Sequence, residues 1–180
     1  MPARPADDRK MRELILYVVQ RSQDDPHMGA TKLNKVLFRC DFGAYLHLGE
    51  AITGHPYFKL ENGPAPRHLV EIRQGMVADG LVRIAKVQVG ADKPMDRWQA
   101  LKSADLSLFT HEQLAFVDGV VEAMSDQTGT RAADDTHLMV GWRLASMRGD
   151  IPYATAFLAD RATPSDIDRG RQLAREHGWA

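Results

Sequence analysis

From Thr31 to Leu48 the chain runs without a proline and carries two apolar stripes at helical spacing: Leu33, Val36, Leu37, Cys40, Ala44 and Leu48 on one side, Phe38, Phe42 and Tyr45 on another. A helix that is apolar around most of its circumference lies inside a domain, so the rest of the chain has to be arranged to cover it. Lys32, Lys35 and Arg39 fall at i, i+3 and i+7, which predicts one solvated basic ridge along its N-terminal half. Gly49 supplies the stop.

The flanking segments read as that cover. Met11, Leu14, Ile15, Val18 and Val19 recur at i, i+3, i+4, i+7 and i+8 and predict an amphipathic helix from about Asp8 to Ser22, broken by Asp24, Asp25 and Pro26. Residues 52–66 hold three prolines and two glycines and cannot be helical; Tyr57 to Leu60 reads as a short strand followed by a turn. Pro66 then suits the first position of a helix carried by Leu69, Val70, Arg73 and Met76 to Asp79 and Gly80. Leu81–Val89 and Arg97–Leu101 read as a hairpin. Thr110 is a candidate cap, with Glu112 and Gln113 behind it and Leu114, Val117, Val120, Val121 and Met124 in helical period. Thr128–Met147 reads as one helix with Leu138, Trp142 and Ala145 inward, ended by Ile151-Pro152-Tyr153. A last amphipathic helix is expected from Pro164 or Ser165, anchored by Ile167 and Leu173.

The expectation is a single α+β domain, mainly helical, with a small antiparallel sheet from residues near 57–60, 81–89 and 97–101 and a winged-helix-like central segment. Residues 1–9 are expected as a flexible N-terminus, 10–160 as the domain and 161–180 as a C-terminal helix. A chain of 180 residues buries roughly 70% of its unfolded surface and can hold one core unaided. Cys40 is the single cysteine, so neither an intrachain disulfide nor a cysteine-rich zinc site can form. Nothing approaches the ~20 apolar residues of a membrane span, and the opening Met-Pro-Ala-Arg-Pro-Ala-Asp-Asp lacks the apolar core of a secretory signal. A cytoplasmic protein without membrane contact is expected.

Chemistry-bearing patterns are sparse. The seven histidines show no i, i+4 pair and no H-E-x-x-H, and there is no G-x-S-x-G elbow, phosphate loop or dinucleotide fingerprint. No catalytic residue, metal, cofactor or small-molecule substrate is therefore assigned. Cys40 lies on the apolar stripe and reads as core packing. Asp41 on the same helix is a buried carboxylate that needs a partner, expected to be a lysine or arginine of a neighbouring helix. Trp142 reads as core.

Net charge is −1, but its distribution is uneven: residues 31–102 carry eleven basic and seven acidic side chains, and 103–128 five acids with no lysine or arginine. The acidic stretch suits internal docking or a charged partner equally. The order helix, strand, helix, hairpin over 31–101 resembles a winged helix, with Arg67, His68, Arg73 and Gln74 on the candidate recognition helix and Lys86, Lys93 and Arg97 around the wing. An excess of four charges, with Glu71 and Asp79 on the same helix, is small for a binder of phosphate backbones.

The ordered set Thr31-Lys32-Leu33-Asn34-Lys35-Val36-Leu37-Phe38, Leu48-Gly49-Glu50-Ala51-Ile52-Thr53-Gly54 and Tyr57-Phe58-Lys59-Leu60-Glu61-Asn62-Gly63-Pro64-Ala65-Pro66-Arg67 resembles the Panacea domain of SocA-like antitoxins. That family recurs as K-L-x-K-L-L-F, a small-residue turn, then x-x-Y-G-P-V-P. Asn62 stands where an aromatic is common and Ala65 where valine is. Ser107-Leu108-Phe109-Thr110, His137, Trp142-Arg143 and Ile151-Pro152-Tyr153 resemble its second half, so the likeness covers about residues 10–160. The resemblance implies an antitoxin that binds a cognate toxin directly, is encoded beside it in a bacterial or phage-derived genome, has no shared catalytic site, and binds operator DNA, if at all, in the toxin complex. The ridge and the turn lie close in chain order and make Lys32, Lys35, Asn62 and Arg67 the candidate partner-binding residues. Asn62-Gly63-Pro64 also reads as a plain turn and the lysines as a plain solvated ridge. A winged-helix DNA-binding regulator and an enzyme of unrecognised type remain as the other readings.

Overall fold

In a computed structural model, residues 6–89 and 94–158 are described. The C-terminal helix expected at 161–180, the N-terminal residues 1–5 and the tip of the long hairpin lie outside them. The described residues form one mainly helical α+β domain of six helices and five short strands.

Helix α1 (Asp8–Arg21) is opened by Asp7, whose carboxylate accepts from the Lys10 N–H, and it buries Met11, Leu14, Ile15, Leu16, Val18 and Val19. Helix α2 (Ala30–His47) starts after Gly29 and buries eleven of its eighteen residues. The two-stripe pattern thus has its predicted outcome: Phe38 stacks on Phe42 at 4.1 Å between ring centres, and Phe42 on Tyr153 at 4.5 Å.

Strand β1 (Tyr57–Leu60) forms where expected, but the residues after it do not lead straight into a helix. They turn at Glu61-Asn62 into a second strand, β2 (Gly63–Pro66), paired antiparallel from Leu60↔Gly63 to Tyr57↔Pro66. Helix α3 (Leu69–Ala78) begins only after His68, which holds a left-handed φ of 58°. Pro66 is therefore a strand residue and not the first residue of a helix. Two prolines fit a four-residue strand because β2 is an edge and its bonding positions alternate. The Lys59 N–H donates outward to Gly149 O, and the Arg67 N–H donates to Pro56 O, which leaves Pro64 and Pro66 where no N–H faces β1.

Strands β3 (Val82–Val87) and β4 (Met95–Ala100) form the predicted hairpin in register Val82↔Ala100 to Val87↔Met95. Helix α4 (His111–Ala123) opens on a full capping box, with the Thr110 hydroxyl accepting from the Gln113 N–H and the Gln113 side chain accepting from the Thr110 N–H. The stretch read as one helix is two, α5 (Gly129–His137) and α6 (Val140–Leu144), with extended backbone at Met139 between them. The break swings Trp142 back over the hairpin: its ring stacks on His137 at 4.1 Å and its Nε1–H donates to Leu60 O. Trp142 is half-buried and Leu138 is 65% exposed, so neither is the core residue the periodicity implied.

A last strand, β5 (Asp150–Ile151), pairs with β1, and a 3-10 turn follows at Tyr153–Phe157. The strands make two separate sheets, β2-β1-β5 and β3-β4, and not the single sheet expected. Strand β2 lies against α2, while the β3–β4 hairpin packs against α1, α2 and α3.

Candidate functional site

The four candidate residues converge on the N-terminal half of α2 and the hairpin that lies across it, but most of them face inward. Lys32 is 0% exposed; its ammonium pairs with Asp25 and donates to Ser125 O at 3.0 Å. It ties the turn before α2 to the turn between α4 and α5. Lys35 is 1% exposed and its Nζ donates 2.8 Å to Pro64 O of β2. Burial pushes that ammonium down to about 7, with no ion pair to it among the described residues. The solvated ridge predicted from i, i+3, i+7 spacing is corrected here: helical spacing puts three bases on one face, where the turns at Asp25 and Ser125 cover Lys32, the hairpin covers Lys35, and only Arg39 stays partly exposed beside Asp135.

Gly63 shows how close the hairpin comes. Its φ is +89°, and a Cβ there would sit 2.7 Å from Lys35 Cε and 2.5 Å from Thr136 Oγ1. Only glycine gives both the turn and the contact. Arg67, at the end of β2, is clasped by the Asp150 carboxylate and by Arg148 O at 2.8 Å, with its guanidinium 4.7 Å over the Phe58 ring. It bolts β2 to the turn before β5. Asn62 alone of the four is exposed, at the hairpin tip.

Asp41 completes the brace. It is 0% exposed, and its partners are the Thr53 N–H at 2.7 Å, the Thr53 hydroxyl at 2.6 Å and the Tyr57 hydroxyl at 2.8 Å. The expected lysine or arginine partner is absent among the described residues; neutral donors take its place. Burial raises the carboxyl above its usual range, against the pull of those three hydrogen bonds. Burial likewise pushes up the Tyr57 and Tyr153 hydroxyls and the Cys40 thiol, with Asp41 adding to each. Cys40 is an inert core thiol, as its stripe position implied.

Beside the brace lies a cleft of about 640 Å³ between the starts of α2 and α5 and the β3–β4 hairpin, lined by His27, Lys32, Asn62, Lys86, Asp96 and His137 among others. Both charge signs meet there. The bases expected to form a DNA-reading surface are largely held by the protein itself: Arg73 and Lys86 pair with Asp96, and Arg97 donates to the carbonyls of Gln23 and Asp25. Lys93 lies outside the described residues. No cluster of three or more histidines, cysteines or carboxylates able to hold a metal occurs among the described residues. No described helix is long and apolar enough to cross a membrane.

A second depression, about 450 Å³ and mainly apolar, runs between α2 and α4 and is lined by Arg39, Phe42, Gly43, Leu46, Phe116 and Gly119 among others. Sequence reasoning passed over it because its α4 wall is built of alanine and glycine, which carry no chemistry. The signal available was the acidic run at 103–128 with small residues at 115, 119 and 123 inside it. The brace partners Thr53, Asp25, Ser125 and Asp150 had no such signal, since each lies outside the element of the group it satisfies and no periodicity links the two.

No curated protein and no solved structure matches the chain. The family model for the SocA-like antitoxin, Panacea domain, matches residues 33–143. That segment runs from the first turn of α2, through the hairpin over Lys35 and the capping box of α4, to Trp142 and Arg143. Matched over more than half its length, the chain belongs to the SocA-like antitoxin, Panacea-domain family.

Proposed function

We propose that the protein is an antitoxin that neutralises a cognate toxin by direct, stoichiometric binding in the bacterial cytoplasm, from a toxin–antitoxin pair of bacterial or prophage origin. The family match over residues 33–143 is the observation that carries this reading. The architecture is in keeping with it. The buried polar groups of α2 are spent on internal bonds that fix the hairpin, and the surface offers grooves of the size a protein segment fills. Of the four candidate contact residues, Asn62 and the outer edge of Arg67 are those a partner reaches directly. Lys32 and Lys35 act by holding the surface on which Asn62 sits. No enzymatic step is assigned, and any operator contact belongs to the toxin complex, in keeping with Arg73 of α3 and Lys86 of the wing being paired with Asp96.

The test is co-expression with the product of the neighbouring gene. A neighbour that is lethal alone, tolerated with this protein, and co-eluting with it in one size-exclusion peak is the expected result. Such an interface buries roughly 1,200–2,000 Å² or more. Full protection at far below one equivalent of antitoxin would show turnover and overturn a binding mechanism.

A further inference from the structure

We propose that residues 164–178 of this same chain fold back as a helix into the groove between α2 and α4, so that the protein's own C-terminal segment closes it. The inference does not depend on the antitoxin reading. One wall is Phe42, Gly43 and Leu46 of α2; the other is Ala115, Gly119 and Ala123 of α4. A Cβ built at Gly119 meets nothing within 4 Å, so the groove has room for a third helix backbone. The described chain itself leads there. Ala156 stands in the groove lining, Phe157 packs on Tyr45 at 5.6 Å between ring centres, and the last described residue is Leu158. The tether 159–163 spans up to about 17 Å, enough to bring residue 164 to the groove. A tethered segment meets such a site at an effective concentration of roughly millimolar order, whereas a separate partner gives up its free motion on binding.

The sequence after the tether has the pattern the groove needs. Thr163-Pro164-Ser165-Asp166 is a helix-start signature: a capping hydroxyl, proline at the first helical position and a carboxylate three residues after the cap. Ile167, Gly170, Leu173, Ala174 and His177 then recur on one helical face, while Asp168, Arg169, Arg171, Gln172, Arg175 and Glu176 fall on the other. Gly170 and Ala174 in the middle of that face match the glycine and alanine wall of α4 for close approach. Ile167 to His177 runs about 15 Å, and α2 offers about 10 Å from Leu46 to Arg39 before the lining continues to Gln127. Phe116 lies against Gly43 and Lys32 donates to Ser125 O, so α4 runs antiparallel to α2 and ends beside its Arg39 half. The chain enters by Tyr45, which sets Ile167 toward Leu46 and His177 toward Arg39. There Arg39 Nε and Gln127 Oε1, both in the lining, are buried with no hydrogen-bond partner among the described residues. A neutral imidazole carries one acceptor nitrogen and one N–H, the two complements that end of the groove lacks.

Cysteine trapping in the full chain, with no toxin present, tests this. Gly119→Cys with Ala174→Cys is expected to close an intramolecular disulfide under mild oxidation at least tenfold faster than Gly119→Cys with Gln172→Cys, which has nearly the same tether but the opposite helix face. The native Cys40 thiol is buried and stays out of the exchange. Equal rates for the two pairs would mean tethered collisions without docking and overturn the proposal. Disulfide-linked dimers in place of the intramolecular product would give the groove to a second copy and overturn it too. Limited trypsin digestion at Arg169, Arg171 and Arg175 is the second measure. Leu173→Asp, on the docking face, and Gly119→Trp, which fills the groove at an open position, are each expected to speed cleavage there at least tenfold. A wild type cut as fast as Leu173→Asp would show an undocked segment. Acceleration by Leu173→Asp without any by Gly119→Trp would show docking elsewhere, and either result overturns the assignment.

Discussion

Helix α2 is closed around its buried polar groups and open over one stretch beside α4, and the basic ridge of Lys32, Lys35 and Arg39 runs from the one into the other. Around Lys32, Lys35 and Asp41 it is covered by the turns at Asp25 and Ser125, by Pro64 of β2 and by Thr53 and Tyr57, so each of these buried polar groups has partners supplied from elsewhere in the chain. Toward α4 it presents Arg39, Phe42, Gly43 and Leu46, mostly apolar, with the Arg39 Nε unmet. The polar side is the finished one and the apolar side is the one the described residues leave accessible. Hydrophobicity says which residues avoid water, but only the tertiary partners say which of them have been covered by their own chain.

The largest effect that could break this contrast is at Asp41. Replacing it with alanine leaves three buried donors without an acceptor, at about 1–3 kcal/mol each, against the gain from removing a buried carboxylate. A net loss of roughly 3–5 kcal/mol is expected in denaturant melts. Asp41→Asn, which keeps an oxygen for the Thr53 N–H and lets the two hydroxyls reorient, should cost only about 1 kcal/mol. Equal losses in the two variants would show that shape, and not hydrogen bonding, holds this side shut.

Lys35 gives a second, pH-resolved measure. Burial pushes its folded ammonium down from the ordinary 10.5 to about 7. Between those values the unfolded chain binds more protons than the folded one, so this site adds stability as pH rises through the window and none below it. Lys35→Met abolishes the increment. The stability difference, wild type minus variant, should grow by about 3 kcal/mol between roughly pH 7 and pH 9.5. A difference that stays flat would place the ammonium in water and undo the closed-side description.

How far the contrast was legible in the chain depends on the reach of the interactions. The α1 stripe, the two-sided α2 pattern, β1, the β3–β4 hairpin and the Thr110 capping box are local patterns, and the structure contains them all. Strand β2 was hidden because Gly-Pro-Ala-Pro carries no strand propensity and is a strand only as the edge partner of β1. The break at Met139 was hidden because nothing local interrupts the helix; Trp142 reaching Leu60 O and Gly141 meeting Thr155 do so from outside. The candidate site was read from the same spacing rule, which identifies a face correctly and is silent about what lies over it. Lys32 and Lys35 were placed on one face and then assigned to solvent, where the Asp25 and Ser125 turns and the hairpin in fact sit.

Two smaller predictions sharpen the boundary between the sides. Trp142→Ala should cost about 1–2 kcal/mol and not the 3–5 of a core aromatic, since the ring is half-buried and contributes one hydrogen bond, a His137 stack and a Lys59 ammonium 4.1 Å above it. Gly119→Ala, at an open mid-helix position, should stabilise the protein by about 0.5–1 kcal/mol. Its counterpart across the groove, Gly43→Ala, should destabilise instead, because a Cβ there meets the Phe116 ring at 2.6 Å. Differential scanning calorimetry on the two alanine variants reads both signs at once; like signs would mean the groove walls are not as drawn.

Strand β5 sets a timetable. The β1–β2 hairpin is formed by residues only a few positions apart, whereas Phe58 meets Asp150 across about half of the chain. On the ribosome the hairpin and α2 are complete while the third strand, with the Asp150 carboxylate that clasps Arg67, is still unmade. Closing so long a loop is a late, entropically costly event, and it makes the outer edge of β1 the last part of that sheet to be sealed. It also means that the unit which folds is larger than the family match: β5 and α1, with its buried Met11, Leu14, Ile15 and Val18, both lie outside residues 33–143. A fragment cut to those limits would carry the family's signature on a sheet that never receives its third strand.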